Sequence, residues 1–350
     1  MNWGKNILTK QKNMSKKIGN LLTVEEMKNK YSLSEQAIKN TQKHREELEN
    51  IFIWKDDRKI LVIWPCSADF EESLYEYAEF LSELQKKVED KIKIVMRFYT
   101  WKPRTVWGWK GLQNSVPWEK PNLVTWMENS RKIAINIIEK YNLPLADELL
   151  QAQLVNYVDD IFCYFAIGAR STEDQFHREV SSGLDIPVWM KNPTSGDLQI
   201  MCNSIKAGQT PSVYAIWNEV FETTWNNLSH SVLRGGSNWP NYNLGNIEKT
   251  LEISKKMWVK NLSLIIDCNH SNSGKKWEKQ IKIIEEVMGA IKWKLEVENF
   301  VKWFMIESYL ENWRQDFEDI KKVKKGLSLT DPCVGKEGTI ELVDKLYDLI

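Results

Sequence analysis

Eight short apolar runs, most of them followed by a polar or helical stretch, constrain this chain more than any other feature. They are KILVIWPC from Lys59, KIKIVMRFYT from Lys91, LPLADELL from Leu143, FCYFAIGAR from Phe162, IPVWMKN from Ile186, PSVYAIWN from Pro211, LSLIIDCNH from Leu262 and KWFMIES from Lys302. Between them, SLYEYAEFLSELQKKVEDK, WMENSRKIAINIIEKYN and WEKQIKIIEEVMGAIK carry apolar residues at helical spacing. Near-continuous apolar strands need cover on both faces, which a parallel sheet wrapped by helices supplies. Eight strand–helix units predict an α/β fold, a (β/α)8 TIM barrel. The segment 1–50 reads as an N-terminal extension with one or two helices packed outside the barrel, and 51–350 as the barrel itself. The section between Trp217 and Gly236 is long for a barrel loop and rich in Thr, Asn and Ser, so an inserted hairpin is expected there.

Charge then narrows the function. Lys+Arg and Asp+Glu both number 48, a formal net charge of +0, so no bulk field draws the chain to nucleic acid or to an anionic membrane, and neither partner is expected. Any anion binding must be local. The cysteines Cys66, Cys163, Cys202, Cys268 and Cys333 are odd in number and show no CxxC pair, which favours a reducing compartment, the cytoplasm, over a disulfide framework. No run reaches the roughly 20 apolar residues of a membrane helix. The basic start MNWGKNILTKQKNMSKKIGN has no long apolar run either and reads as a solvated arm.

In a barrel of this kind the C-terminal ends of the strands build the site. The expected strands deliver Cys66, then Arg97 with the Lys102/Arg104 loop, then Glu148, Arg170, Lys191, Asp267 with His270, and Glu307; loops add Arg234 and Asp331. One set among these, Cys66, His270, Glu307 and Asp331, offers a thiolate, an imidazole and two carboxylates, a donor mix that suits a divalent transition metal better than magnesium or calcium. The other set, Arg97, Lys102, Arg104, Arg170, Lys191 and Arg234, would repel itself unless its partner carries several negative charges, such as phosphates and a carboxylate. A cysteine at a strand end is ordinarily a small core residue, so Cys66 gains its meaning from the company it keeps.

The ordered motifs PCS, KPRT with GWKG, AIGARSTEDQFHRE, LRGG, DCNHSNS, ES and TDPC resemble the class I 3-deoxy-D-arabino-heptulosonate 7-phosphate (DAHP) synthases, from about Asp56 to the C-terminus. That resemblance implies a metal-dependent condensation of phosphoenolpyruvate with erythrose 4-phosphate, giving DAHP and phosphate at the first step of the shikimate pathway. It implies that Cys66, His270, Glu307 and Asp331 hold the metal, Mn2+, Fe2+, Co2+ or Zn2+. Arg97, Arg170, Lys191 and Arg234 would grip phosphoenolpyruvate; Lys102, Arg104 and Thr105 would bind erythrose 4-phosphate, with Lys102 protonating its aldehyde oxygen. Glu148 would orient a water or a lysine. A homodimer or homotetramer is implied as well, with the N-terminal extension as a dimer or regulatory arm. The eight-carbon homologues carry a different loop in place of KPRT. LLQAQLVNY departs from the family near its inhibitor site, so no inhibitor is inferred.

Several residues depart from the family pattern. Trp64, Trp189 and Trp303 stand where it has Gly, and each lies an even number of residues before a site residue, so all three are expected to point into the barrel. A close-packed interior accepts extra volume badly, and the indoles should either widen the barrel or swing into the substrate space. Asp147 replaces a Gly beside Glu148, Asn269 a Ser before His270, and Pro193 follows KN where Gly is usual. These departures motivate an alternative, a catalytically impaired or silent relative that binds metal and anions and regulates or stabilises a partner synthase.

Overall fold

A computed structural model describes residues 15–66, 68–103, 109–113, 115, 120–237, 239–316 and 322–350, with the backbone alone at Trp64. Its strands are β1 Lys59–Trp64, β2 Ile92–Arg97, β3 Leu145–Glu148, β4 Tyr164–Ile167, β5 Val188–Lys191, β6 Val213–Ile216, β7 Glu219–Glu222, β8 Ser229–Leu233, β9 Leu264–Asp267 and β10 Val301–Glu307. Eight of them close in the order β1-β10-β9-β8-β5-β4-β3-β2, each parallel to its neighbours. The expected (β/α)8 barrel is therefore present. The helices Glu71–Val88, Leu123–Tyr141 and Lys279–Ile291 lie where the apolar spacing put them.

The sixth barrel strand differs from the sequence expectation. PSVYAIWN holds β6, which pairs antiparallel with β7 in a hairpin outside the barrel. Val213 and Val220 of that hairpin are 61% and 74% exposed. The barrel strand is β8, inside the section expected to be the insertion. Its sequence, SHSVL, hides its role because three of its five residues are polar, yet all five are buried. His230 has its polar atoms matched: Leu228 carbonyl lies 2.7 Å from Nδ1, and Tyr164 hydroxyl pairs with Nε2. Burial pushes this imidazole down to about 3, so it sits in the core neutral.

The N-terminal segment forms the helices Val24–Lys30 and Glu35–Phe52, begun by the capping residues Thr23 and Ser34. The second does more than pack outside. Phe52, its last residue, lies 4.3 Å from the His230 ring and 5.8 Å from Tyr164, both at the N-terminal ends of barrel strands, and so covers the floor of the barrel. Nearby, Lys93 on β2 is only 4% exposed; its ammonium donates to Glu47 of that helix and lies 2.8 Å from His44 Nδ1.

Removing Glu47 leaves a buried ammonium without its carboxylate. The variant Glu47→Gln should lose about 2 kcal/mol in chemical denaturation, less than for a fully buried pair because Glu47 is partly exposed. Adding Lys93→Met should restore most of the loss, since the charge left stranded is then gone.

Candidate active site

The C-terminal ends of the barrel strands open on a cavity of about 680 Å³ lined by Arg97, Lys102, Glu148, Arg170, Lys191, Arg234, His270 and Asp331, with Lys275, Tyr99 and Arg314 among the others. Cys66 and Glu307 are buried beside it. Of the expected site residues, Arg104 and Thr105 lie outside the described residues.

The backbone explains how these groups converge. Beyond β2 the chain runs out to Lys102, whose N–H donates to Lys110 carbonyl at 2.8 Å, while Gln113 N–H returns to Thr100 carbonyl at 3.0 Å. Gly111 allows this return: its φ is +104°, and a Cβ there would meet Thr100 carbonyl at 2.4 Å. Gly168, just beyond β4, leaves room for Glu148, whose Oε1 would lie 2.1 Å from an added Cβ.

A donor group forms at the junction of β1, β10 and the Asp331 loop. Cys66 Sγ lies 3.3 Å from Asp331 Oδ2, and the thiol and the carboxylates of Glu307 and Asp331 offer atoms all within 4.8 Å of one another. His270 joins at its edge, with Nε2 3.8 Å from Glu307 Oε1 and Nδ1 2.8 Å from Asp267 Oδ2. One thiol, two carboxylates and an imidazole edge fit a divalent ion, and their electrostatics say the same. Burial, then the neighbouring Glu307 charge, pushes the Cys66 thiol up to about 12; burial, then Asp331, pushes Glu307 up to about 7. These groups resist being anionic together without a cation. Asp331 is pushed up by burial but held well below the carboxylate range by the charges of Lys102 and Lys275. Burial lowers His270 to about 4 and leaves it neutral, the form that ligates metal.

The cations ring this group. Arg97, 1% exposed, stacks 3.6 Å over the Tyr99 ring, donates to Cys66 carbonyl at 3.3 Å and reaches within 3.9 Å of Glu307. Lys102 donates to Cys66 Sγ at 3.0 Å, Lys191 to Asp267 at 3.0 Å, and Arg234 to Ser271 Oγ at 3.1 Å.

Sequence reasoning placed Asp267 at a strand end without a role, although it bridges His270 and Lys191. Its position three residues before His270 was the available signal. Lys275, which donates to Asp331 at 2.7 Å, and Tyr99, beneath Arg97, were missed. Asn269, read as a departure, donates from Nδ2 to Glu307 Oε2.

The other departures stay out of the cavity. Trp189 is fully buried with its ring edge-on to Tyr164 at 4.4 Å, Trp303 is 1% exposed, and neither lines the cavity, so the substrate space stays open. The side chain of Trp64 lies outside the described residues. Asp147 also stays out of the cavity lining: Oδ1 accepts from the N–H groups of Thr100 and Glu148, and Oδ2 from the Thr100 hydroxyl. It anchors the strand end that leads to Lys102.

The model of the DAHP synthetase I family matches residues 30–344. A phospho-2-dehydro-3-deoxyheptonate aldolase of Haemophilus influenzae is 35% identical over 329 residues, 92% of this chain and 89% of that protein. The Tyr-sensitive one of Escherichia coli is 34% identical, covering 93% of this chain and 92% of its own length. Among solved structures, the phospho-2-dehydro-3-deoxyheptonate aldolase of Francisella tularensis superposes with a TM-score of 0.90 at 32% identity, covering 96% of this chain and 98% of its own.

Burial raises the Asp147 carboxyl to about 7, against hydrogen bonds from Thr100 and Glu148 that pull it down. The folded state thus holds a proton that the unfolded state releases near its ordinary value, and stability falls as pH rises toward 7. Asp147→Asn keeps an acceptor for both N–H groups and cannot ionise. Thermal unfolding should show it gaining on the parent from pH 4 to pH 8, by about 1 kcal/mol or more; parallel pH profiles would mean Asp147 ionises as an ordinary carboxylate.

Proposed function

The chain belongs to the DAHP synthetase I family, and from that premise we propose how its residues divide the work of the reaction. It is a phospho-2-dehydro-3-deoxyheptonate aldolase, joining phosphoenolpyruvate to erythrose 4-phosphate in a metal-dependent condensation that yields DAHP and phosphate. The observation that carries the assignment of roles is the compact donor group set against one wall of a cation-lined cavity.

In this reading Cys66, His270, Glu307 and Asp331 hold the divalent ion, Mn2+, Fe2+, Co2+ or Zn2+. When bound, it polarises the aldehyde carbonyl. Arg97, Arg170, Lys191 and Arg234 take the phosphate and carboxylate of phosphoenolpyruvate; Arg97 and Lys191, both nearly buried, bind with little water to displace. Lys102, with Arg104 and Thr105, takes the phosphorylated aldehyde, and the Lys102 ammonium gives its proton to the aldehyde oxygen as C3 of phosphoenolpyruvate forms the new carbon–carbon bond. Glu148, facing the same cavity, orients the water that adds to C2, after which phosphate leaves with its bridging oxygen. Holding two anions together offsets their repulsion and aligns the reacting carbons. Asp267 positions His270 through Nδ1, the usual second partner of a ligating imidazole.

The division into an N-terminal arm over 1–50 and a catalytic barrel over 51–350 is likewise proposed, as is assembly into a homodimer or homotetramer, for which the exposed Val213 and Val220 of the β6–β7 hairpin provide an apolar surface. Five free cysteines support a cytoplasmic home. No helix among the described residues is long and apolar enough to cross a membrane.

With both substrates and manganese, phosphoenolpyruvate should be consumed; no consumption with or without metal would overturn the reading. Chelation or Cys66→Ala should abolish turnover, and Arg234→Ala should weaken phosphoenolpyruvate capture by about 2 to 5 kcal/mol. Asp267→Asn should lower metal affinity on the order of 10- to 100-fold, measured by titrating manganese, with activity recovering at saturating metal.

A further inference from the structure

Outside glycine, nine described residues have positive φ, and six of them are tryptophan: Trp54, Trp217, Trp258, Trp293, Trp303 and Trp313. Tryptophan makes up 17 of 350 residues, so its share of this set is far above its share of the chain. Asn142, also in the set, is a residue type that tolerates left-handed backbone; a bulky aromatic is not.

At five of these places the local motif says which residue it was shaped for. After the helix Leu244–Lys256, Trp258 N–H donates to Lys255 carbonyl and Val259 N–H to Ser254 carbonyl, both at 3.0 Å. That bond pair defines a Schellman end, and Trp258, φ 56°, occupies its left-handed position, the place of glycine. The helix Glu35–Phe52 ends the same way, with Trp54 N–H to Ile51 carbonyl, Lys55 N–H to Asn50 carbonyl, and Trp54 at φ 61°. Beyond the helix Lys279–Ile291, Lys292 at φ −49°, ψ 132° and Trp293 at φ 74° form a type II turn closed by Lys294 N–H to Ile291 carbonyl. Its third position calls for glycine. Trp217, φ 56°, opens the two-residue loop between paired Ile216 and Glu219, again a glycine position in tight hairpins. Trp303, φ 141°, sits where the register of β10 against β9 shifts, as at a glycine bulge.

The indoles gain little against this strain: Trp54 Nε1 donates to Asn299 carbonyl at 3.4 Å, and the ammonium groups of Lys302 and Lys292 lie 4.2 and 5.1 Å from the Trp54 and Trp293 ring centres. Trp217, Trp258 and Trp293 are 76%, 81% and 87% exposed, and the buried Nε1 of Trp303 has no hydrogen-bond partner. A foldable sequence agrees with its backbone locally. Here one residue type breaks that agreement in the same way at sites scattered over the whole barrel, so the cause belongs to the residue type and not to the places. We propose that these six positions carry glycine in the protein as its own cell makes it, a single codon being decoded there as glycine although it is read as tryptophan in the sequence above. For the enzyme, a glycine at 303 takes an indole out of the barrel four residues below Glu307.

Peptide mass spectrometry of the protein isolated from the organism that carries the gene should find glycine at positions 54, 217, 258, 293, 303 and 313; tryptophan at any of them overturns the proposal. In recombinant chains, combining Trp54→Gly, Trp217→Gly, Trp258→Gly, Trp293→Gly and Trp313→Gly should raise the melting temperature, whereas Trp126→Gly, inside the helix Leu123–Tyr141, should lower it. Trp303 is left out of that comparison because losing a buried indole opens a cavity. A melting temperature that fails to rise in the five-fold variant overturns the proposal as well.

Discussion

The site depends on charges of both signs being buried within reach of one another. Cys66, Glu307 and Asp331 crowd together as potential anions, and Arg97, Lys102, Lys191, Arg234 and Lys275 crowd around them as cations. Either set alone would be intolerable where water is scarce. Together they interlock: Asp267 lies between Lys191 and His270, Lys275 reaches Asp331, and Arg97 faces Glu307. Desolvation still wins at Cys66 and Glu307, which are pushed toward their neutral forms. That residual reluctance is what a divalent cation would relieve, so the proposed metal and anion roles of the pocket rest on the same charges.

The same arrangement orders the chemistry. Lys102 links the two sets, since it donates to the Cys66 thiol and is the first residue of KPRT. In the proposed reading this ammonium, 3.0 Å from the Cys66 thiol, is the proton donor to the aldehyde oxygen. Asp147 serves this placement from outside the cavity by holding Thr100, two residues before Lys102. A substitution that looks like an intruding negative charge is therefore part of the loop's anchorage, and burial keeps much of that charge from developing.

Most of this was legible because a parallel barrel writes itself in apolar runs, and its chemistry sits at their C-terminal ends. Legibility failed at β8, where Ser229, His230 and Ser231 are polar yet buried, and the His230 ring meets a partner distant in sequence, Tyr164. A periodicity argument sees only that the run is polar. It failed in the opposite sense at β6, whose apolar VYAI serves a partly exposed hairpin. Asp267 and Lys275 went unassigned for a related reason: their roles are defined by which carboxylate or imidazole they meet, and spacing alone does not report it. The floor was not legible either, because nothing in the periodicity of the helix Glu35–Phe52 says that its last ring closes the barrel from below.

Composition carried a signal that parity could not resolve. An excess of tryptophan over glycine suggested overfilled barrel layers, yet the cavity remains open and Trp189 finds a place against Tyr164. The conflict lies in the backbone instead. Helix ends, a type II turn, a hairpin loop and a strand bulge have formed with the dihedral angles and hydrogen bonds that glycine permits, while holding the side chain that suits them least. The rest of the chain accounts for this: the surrounding helices and strands set the path of each turn strongly enough to impose it on whatever residue stands there. A fold that dictates its turns so firmly retains a record of the residue they require, even where the written letter differs.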